Sequence, residues 1–207
     1  MIFRTVFGLR LKSRSTQQFK MNAIKQILKK NTKLTLYSAL AFITGIPAGI
    51  LAYPLIKDTL PSLLKYAFAG VLTGSTAEII LKVFLRNTTA SLIMLLTGIT
   101  IITPLALLAL NGLFVGLILQ FAQERGISTI KIISGIIPHG IFELPAIFLS
   151  AALGIRVGIA IVTSKGARKK AGWRAFKEAS AAYIAVVIPL LIIAAAVEIL
   201  VSRNLLE

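Results

Sequence analysis

Cysteine is missing from the 207-residue chain, histidine and tryptophan occur once each, and only seven residues are acidic. Without cysteine there are no disulfides, thiolate metal sites or cysteine nucleophiles. A single histidine rules out the HExxH zinc motif and every site that needs two imidazoles. Charge of either sign is scarce. It occupies 14% of positions, where ordinary soluble domains carry about 25%. Apolar residues make up 57% of the chain, and the mean hydropathy is +0.87. A soluble core of this size cannot hide that much apolar surface. The composition therefore predicts an all-α fold, a polytopic transmembrane helical bundle.

What charge there is has one sign. Lysine and arginine total 23, giving a net charge of +16. An excess of this kind also marks nucleic-acid binders, but here it is concentrated in two blocks beside apolar runs. Segment 1–33 holds Arg4, Arg10, Lys12, Arg14, Lys20, Lys25, Lys29, Lys30 and Lys33 with no acid. Segment 164–178 holds Lys165, Arg168, Lys169, Lys170, Arg174 and Lys177 against Glu178 alone. Basic flanks of apolar spans are the cytoplasmic signature of membrane proteins. The predicted partners are thus the lipid bilayer, anionic lipid headgroups, and other membrane proteins or further copies of the chain. No nucleic acid is expected. The chain divides into a basic N-terminal segment, 1–33, and a transmembrane helical domain, 34–207. Segment 1–33 reads either as short amphipathic helices on the membrane surface or as a partly disordered tail.

Five spans follow from the apolar runs. Residues 34–56 are free of charge and long enough to cross about 30 Å of hydrocarbon at about 1.5 Å per residue. Segment 57–86 is mixed and reads as amphipathic helix at the outer interface. The run 87–123 is too long for one span. Pro104 divides it into helices at 88–103 and 105–123. Segment 140–163 and segment 180–201 complete the set. With the N-terminus cytoplasmic, both basic blocks fall inside and the near-neutral segments fall outside, as the positive-inside rule requires. A sixth span within 57–86 would separate the two blocks. The expected location is the cell membrane, multi-pass, with the C-terminus outside.

Glycine pairs four apart recur: Gly45/Gly49, Gly112/Gly116 and Gly154/Gly158. Such pairs let helices approach closely in a bilayer. Asn111 precedes one of them, and a mid-span amide commonly hydrogen-bonds a neighbouring helix.

The densest concentration of polar chemistry is Ile136-Ile137-Pro138-His139-Gly140-Ile141-Phe142-Glu143-Leu144-Pro145-Ala146. Pro138 predicts a broken or re-entrant segment there. His139 and Glu143 are four apart and share a helix face. Ionisable groups in an apolar span are costly, so the pair is either a proton or polar-ligand site or a structural joint between helices. One imidazole and one carboxylate are two ligands where catalytic zinc usually has three; Glu78 or Glu124 could complete the set, but no spacing demands it, and neither a metal nor a cofactor is expected.

Asn111-Gly112, Gly116, Pro138-His139-Gly140-x-x-Glu143-Leu144 and then Gly154 and Gly158 resemble the stage II sporulation protein M family of integral membrane proteins. The likeness is strongest over about 85–160. Asn87 matches the family's helix-opening asparagine, which is often doubled there but is followed here by Thr88. The resemblance implies a multi-pass membrane protein. The namesake is a component of the septal engulfment machinery, joining peptidoglycan-cleaving partners to the membrane. It implies a shared polar core of Asn111, His139, Gly140 and Glu143, and no catalytic role. The expected function is a non-enzymatic scaffold or complex subunit. The alternatives are a small transporter or channel using His139 and Glu143, and an intramembrane hydrolase.

Overall fold

The computed structural model describes the backbone of residues 2–68 and 74–206, and the side chains of 21–66, 74–128, 130 and 140–197. Seven α-helices follow one another: α1 (Ile2–Ile56), α2 (Leu60–Phe68), α3 (Thr76–Thr97), α4 (Ile102–Glu124), α5 (Thr129–Thr163), α6 (Arg168–Ala182) and α7 (Ile188–Leu206). A 3-10 turn at Gly98–Thr100 links α3 to α4, and a π turn at Tyr183–Val187 joins α6 to α7. Among the described residues there is no strand, and five helical segments are long and apolar enough to cross a membrane.

Helix α1 passes through residue 33 without a turn, so the basic segment and the first span share one helix. Pro47 and Pro54 lie inside it. In hydrocarbon a helix keeps nearly all its backbone bonds internal, and one missing N–H costs less than the several groups freed by a break. The same reasoning corrects the expectation at Pro138. Helix α5 continues through that residue and through Pro145 over 35 residues, with no proline-broken or re-entrant segment.

Two boundaries also differ from the sequence reading. Ser75 caps α3: its side chain accepts from the Glu78 N–H, while the Glu78 carboxylate accepts from the Ser75 N–H at 2.7 Å. This reciprocal box starts the second span at Thr76, so 76–86 belong to it rather than to an interfacial helix. The expected amphipathic element shrinks to α2, whose Leu60 is wholly buried against Tyr53 and Leu117. The hairpin between α3 and α4 falls at Gly98–Ile101, with Ile101 in the left-handed region at φ +63°. Pro104 sits in the first turn of α4, where its absent N–H would have had no partner within the helix.

Helix α5 is the axis of the bundle and its span is the most buried of the five. Its Ala146, Leu149, Leu153 and Val157 pack with Ala179, Tyr183, Val187 and Leu191 in the largest core cluster. A second cluster joins Phe42, Met94, Leu108, Ile147 and Ala151. The π turn has a local cause. Pro189 lies inside α7 and its ring would press on the carbonyl four residues back. Widening the turn relieves that contact, and the Ile188 N–H bonds the Tyr183 carbonyl instead.

Two seams of glycine fix how the helices run. A β-carbon built on Gly112 would meet the carbonyl carbon of Phe42 at 2.9 Å, and one on Gly116 that of Ile46 at 3.0 Å. From the other side, one on Gly45 would meet the Leu113 nitrogen at 2.8 Å, and one on Gly49 the Leu117 nitrogen at 3.0 Å. Residue numbers rise together along α1 and α4, so the first and third spans are parallel. The second seam lies between α3 and α5. Gly154 approaches the carbonyls of Met94 and Leu95, and Gly158 those of Gly98 and Ile99. These numbers also rise together, so the second and fourth spans are parallel. This is the pattern that alternating passes produce. One end of the bundle, the basic end, carries the start of the basic block 164–178 and the hairpin at 98–101.

Candidate functional site

The motif segment lies in the first half of α5. The His139 side chain is outside the described residues. Gly140 is buried, and a β-carbon on it would meet only the Leu144 Cδ1, at 3.7 Å, among the described residues. Glu143 is half-buried and is not a free carboxylate. The α3–α5 register is set by Ser91 opposite Ser150 and Leu95 opposite Gly154. Carried back along both helices, it places Glu143 level with Phe84 after two turns and His139 level with Ile80 after three. That stretch of α3 carries Lys82 and Arg86.

Asn111 does not join this segment in the way the sequence suggests. It is exposed on α4, and its Nδ2 donates to the Leu107 carbonyl of its own helix at 3.2 Å. Its neighbours Gly112 and Gly116 face α1, and the helical twist turns Asn111 away from that seam. An interhelical bond from Asn111 is absent among the described residues.

The structure instead gathers a buried hydroxyl network at mid-bundle. Ser91 Oγ and the Tyr183 hydroxyl are 2.8 Å apart, and both lie within hydrogen-bond reach of the Thr88 carbonyl, at 2.9 and 3.2 Å; with one proton each, one hydroxyl donates to the other, which donates to that carbonyl. Ser150 Oγ donates to the Ser91 carbonyl at 2.6 Å. Three helical segments, α3, α5 and the π turn, are thereby tied by side chains that are almost fully excluded from solvent. Buried polar groups are stable only when bonded, and all of these contacts except Ser91–Thr88 are made between helical segments. Thr88 Oγ1 is the exception, buried without a partner among the described residues.

Two further polar places lie at the ends. At the basic end Asn31 is wholly buried, with Nδ2 donating to the Ile27 carbonyl at 2.8 Å and Oδ1 without a partner among the described residues. Nearby, Arg156 Nη1 donates to the Lys30 carbonyl at 3.3 Å. It thereby holds the backbone of α1. At the opposite end the Tyr53 hydroxyl donates to Glu124 Oε2 at 2.8 Å, and the Arg125 guanidinium lies 4.2 Å from the Phe121 ring centre. With Lys57, Asp58 and Pro61 they border a polar hollow of about 320 Å³. No group of three or more His, Asp or Glu side chains that could hold a metal occurs among the described residues.

Sequence spacing does not mark the hydroxyl network, because Thr88, Ser91, Ser150 and Tyr183 belong to no motif and meet only through the fold. The Tyr53–Glu124 bond spans 71 positions and is equally silent. The capping box at Ser75 and Glu78 was legible as Ser-x-x-Glu ahead of an apolar run.

No curated protein and no solved structure matches the chain. A family model does match, that described as stage II sporulation protein M, over residues 38–203. The match takes in all five apolar spans in part or whole, both glycine seams, the hydroxyl network and the Pro138-His139-Gly140 segment. The chain is a multi-pass membrane protein that belongs to the stage II sporulation protein M family.

Proposed function

We propose that the protein is a non-enzymatic scaffold, a subunit that gives a membrane complex a rigid multi-helix anchor. The observation that carries this reading is the pair of glycine seams, where backbone meets backbone along α1–α4 and α3–α5. Interfaces this close are rigid, since neighbouring helices cannot slide without steric collision. The interior polar groups favour the same reading: the bonds of Ser91, Ser150 and Tyr183 join helix to helix. His139 and Glu143 then form a polar joint, on a stretch of α5 level with Lys82 and Arg86 of α3. In this reading the basic end is cytoplasmic in the cell membrane, with the C-terminus outside.

The test is substitution in the reconstituted protein. His139→Ala and Glu143→Ala should lower the thermal melting temperature or the yield of assembled complex, and liposomes holding the wild-type protein should show no pH-dependent ion flux. A flux lost in Glu143→Ala, with melting unchanged, would replace the scaffold by the transporter reading.

A further inference from the structure

At the basic end a groove of about 460 Å³ opens between the end of α5, the α3–α4 hairpin and the start of α6. Ile99, Val157, Ile161 and Phe176 make its apolar floor. Gly172 lets α6 lie close to that floor: a β-carbon there would meet Ile161 Cγ1 at 2.6 Å. Trp173 forms a wall, stacked on Phe176 at 5.9 Å between ring centres, yet 59% exposed. The mouth is bordered by Arg168 and Lys169. Both are exposed, and neither makes an ion pair among the described residues. The nearest acid along α6, Glu178, is engaged by Arg174 at 3.3 Å. Lys165 and Lys170 add to the local charge.

We infer that this groove is a binding site for one anionic phospholipid. The observations that select this occupant are independent. The floor is hydrocarbon and continues the apolar surface of membrane-spanning helices. Two unpaired cations stand at the mouth, where a phosphodiester would lie. An exposed tryptophan marks the water–hydrocarbon boundary, the depth that tryptophan prefers. An acyl chain occupies the floor along Ile161 and Val157, and the headgroup phosphate takes hydrogen bonds from Arg168 and Lys169. A zwitterionic lipid offers the same chain and phosphate but carries a compensating cation. Two basic residues at the surface give a preference on the order of tenfold for the anionic headgroup. The assignment goes beyond the scaffold reading and does not depend on it.

Trp173 is the only tryptophan in the chain, so its fluorescence reports this groove alone. The full-length protein is reconstituted in phosphatidylcholine vesicles containing a minor fraction of bromine-labelled phosphatidylglycerol or, in parallel, the same fraction of bromine-labelled phosphatidylcholine. Quenching should be several-fold deeper with the labelled phosphatidylglycerol; equal quenching overturns the assignment. In the double variant Arg168→Gln with Lys169→Gln the two lipids should quench alike, with the phosphatidylcholine value unchanged. A preference that survives in this variant also overturns it. Both positions are exposed, and an unshifted melting temperature verifies folding. Removing two exposed charges outside the groove, by Lys29→Gln with Lys33→Gln, should leave the preference intact. Equal loss there means a diffuse surface field and no site. Soluble glycerol phosphate should not relieve the quenching; relief assigns the cations to free phosphate and refutes lipid binding.

Discussion

Gly112→Ala probes the α1–α4 seam at its tightest point. The added methyl would sit 2.9 Å from the Phe42 carbonyl carbon and 3.2 Å from the Gly45 Cα. Both are backbone atoms, so no side chain can rotate away and α1 must move outward as a body. Overpacking of this kind costs about 1–3 kcal/mol. Alanine's better helix propensity returns up to about 1 kcal/mol, and part of the loss is the weakening of Cα–H···O contacts along the seam. Gly140→Ala is the internal control. Its methyl would meet the Leu144 Cδ1 at 3.7 Å, an ordinary contact, so only the propensity gain of about 0.4–1 kcal/mol remains. The propensity gain is common to both, so the two variants should differ by the overpacking cost, about 1–3 kcal/mol, with Gly112→Ala the less stable. Reversible unfolding in mixed lipid–detergent micelles reads this directly. Adding Gly45→Ala to Gly112→Ala should cost less than the sum of the single changes, because the first methyl has already parted the helices. If Gly112→Ala is as stable as Gly140→Ala, the backbone-to-backbone seam is refuted.

Three other outcomes are expected. Tyr183→Phe removes the hydroxyl that meets Ser91 at 2.8 Å and should lower stability by about 1 kcal/mol; Ser91 retains its bond to Thr88, so a larger loss would point to a network coupled beyond these pairs. Ser75→Ala deletes the cap of α3 and should cost about 0.5–2 kcal/mol, with early hydrogen exchange confined to the first turn of that helix. Asn111→Leu replaces an exposed amide bonded only to its own helix. It should leave unfolding of the monomer unchanged within about 0.5 kcal/mol, whereas a measured loss above that would restore an interhelical role.

The spans were legible because a bilayer imposes one simple demand, about 20 apolar residues in a row. Five passes and the two basic blocks follow from that and from charge. The glycine pairs were visible as spacings, but their partners were not. Gly98, a lone glycine in sequence, packs on Gly154 and its neighbours, and that contact helps place the hairpin six residues before Pro104. Proline was the least reliable punctuation. In water it ends helices by exposing a carbonyl to solvent, but in an apolar surround interruption costs more than the single lost bond. Helices α1 and α5 therefore run through Pro47, Pro54, Pro138 and Pro145. Among candidate site residues, Asn111 shows the limit of one-dimensional reading: the amide lies next to a packing glycine in sequence, yet one residue of helical rotation turns it outward. The hydroxyl network had no sequence signal, since its members lie 59 and 92 positions apart.

The π turn at Tyr183–Val187 makes the bundle less sensitive to chain length at one place. A wide turn holds one more residue than a regular helix would over the same rise. Removing that residue, for example exposed Ile184, would restore ordinary winding with little change of phase, because the wide turn already absorbs the extra residue within one turn. What returns is the contact between the Pro189 ring and the carbonyl four residues back. A deletion in the regular winding of α6 or α7 would instead rotate everything before it by about 100° relative to everything after it. Either Val187 and Leu191 would then leave the core, or Trp173, Arg168 and Lys169 would swing off the groove beside Ile161. Single-residue deletions should therefore be tolerated better inside this turn than on either side of it.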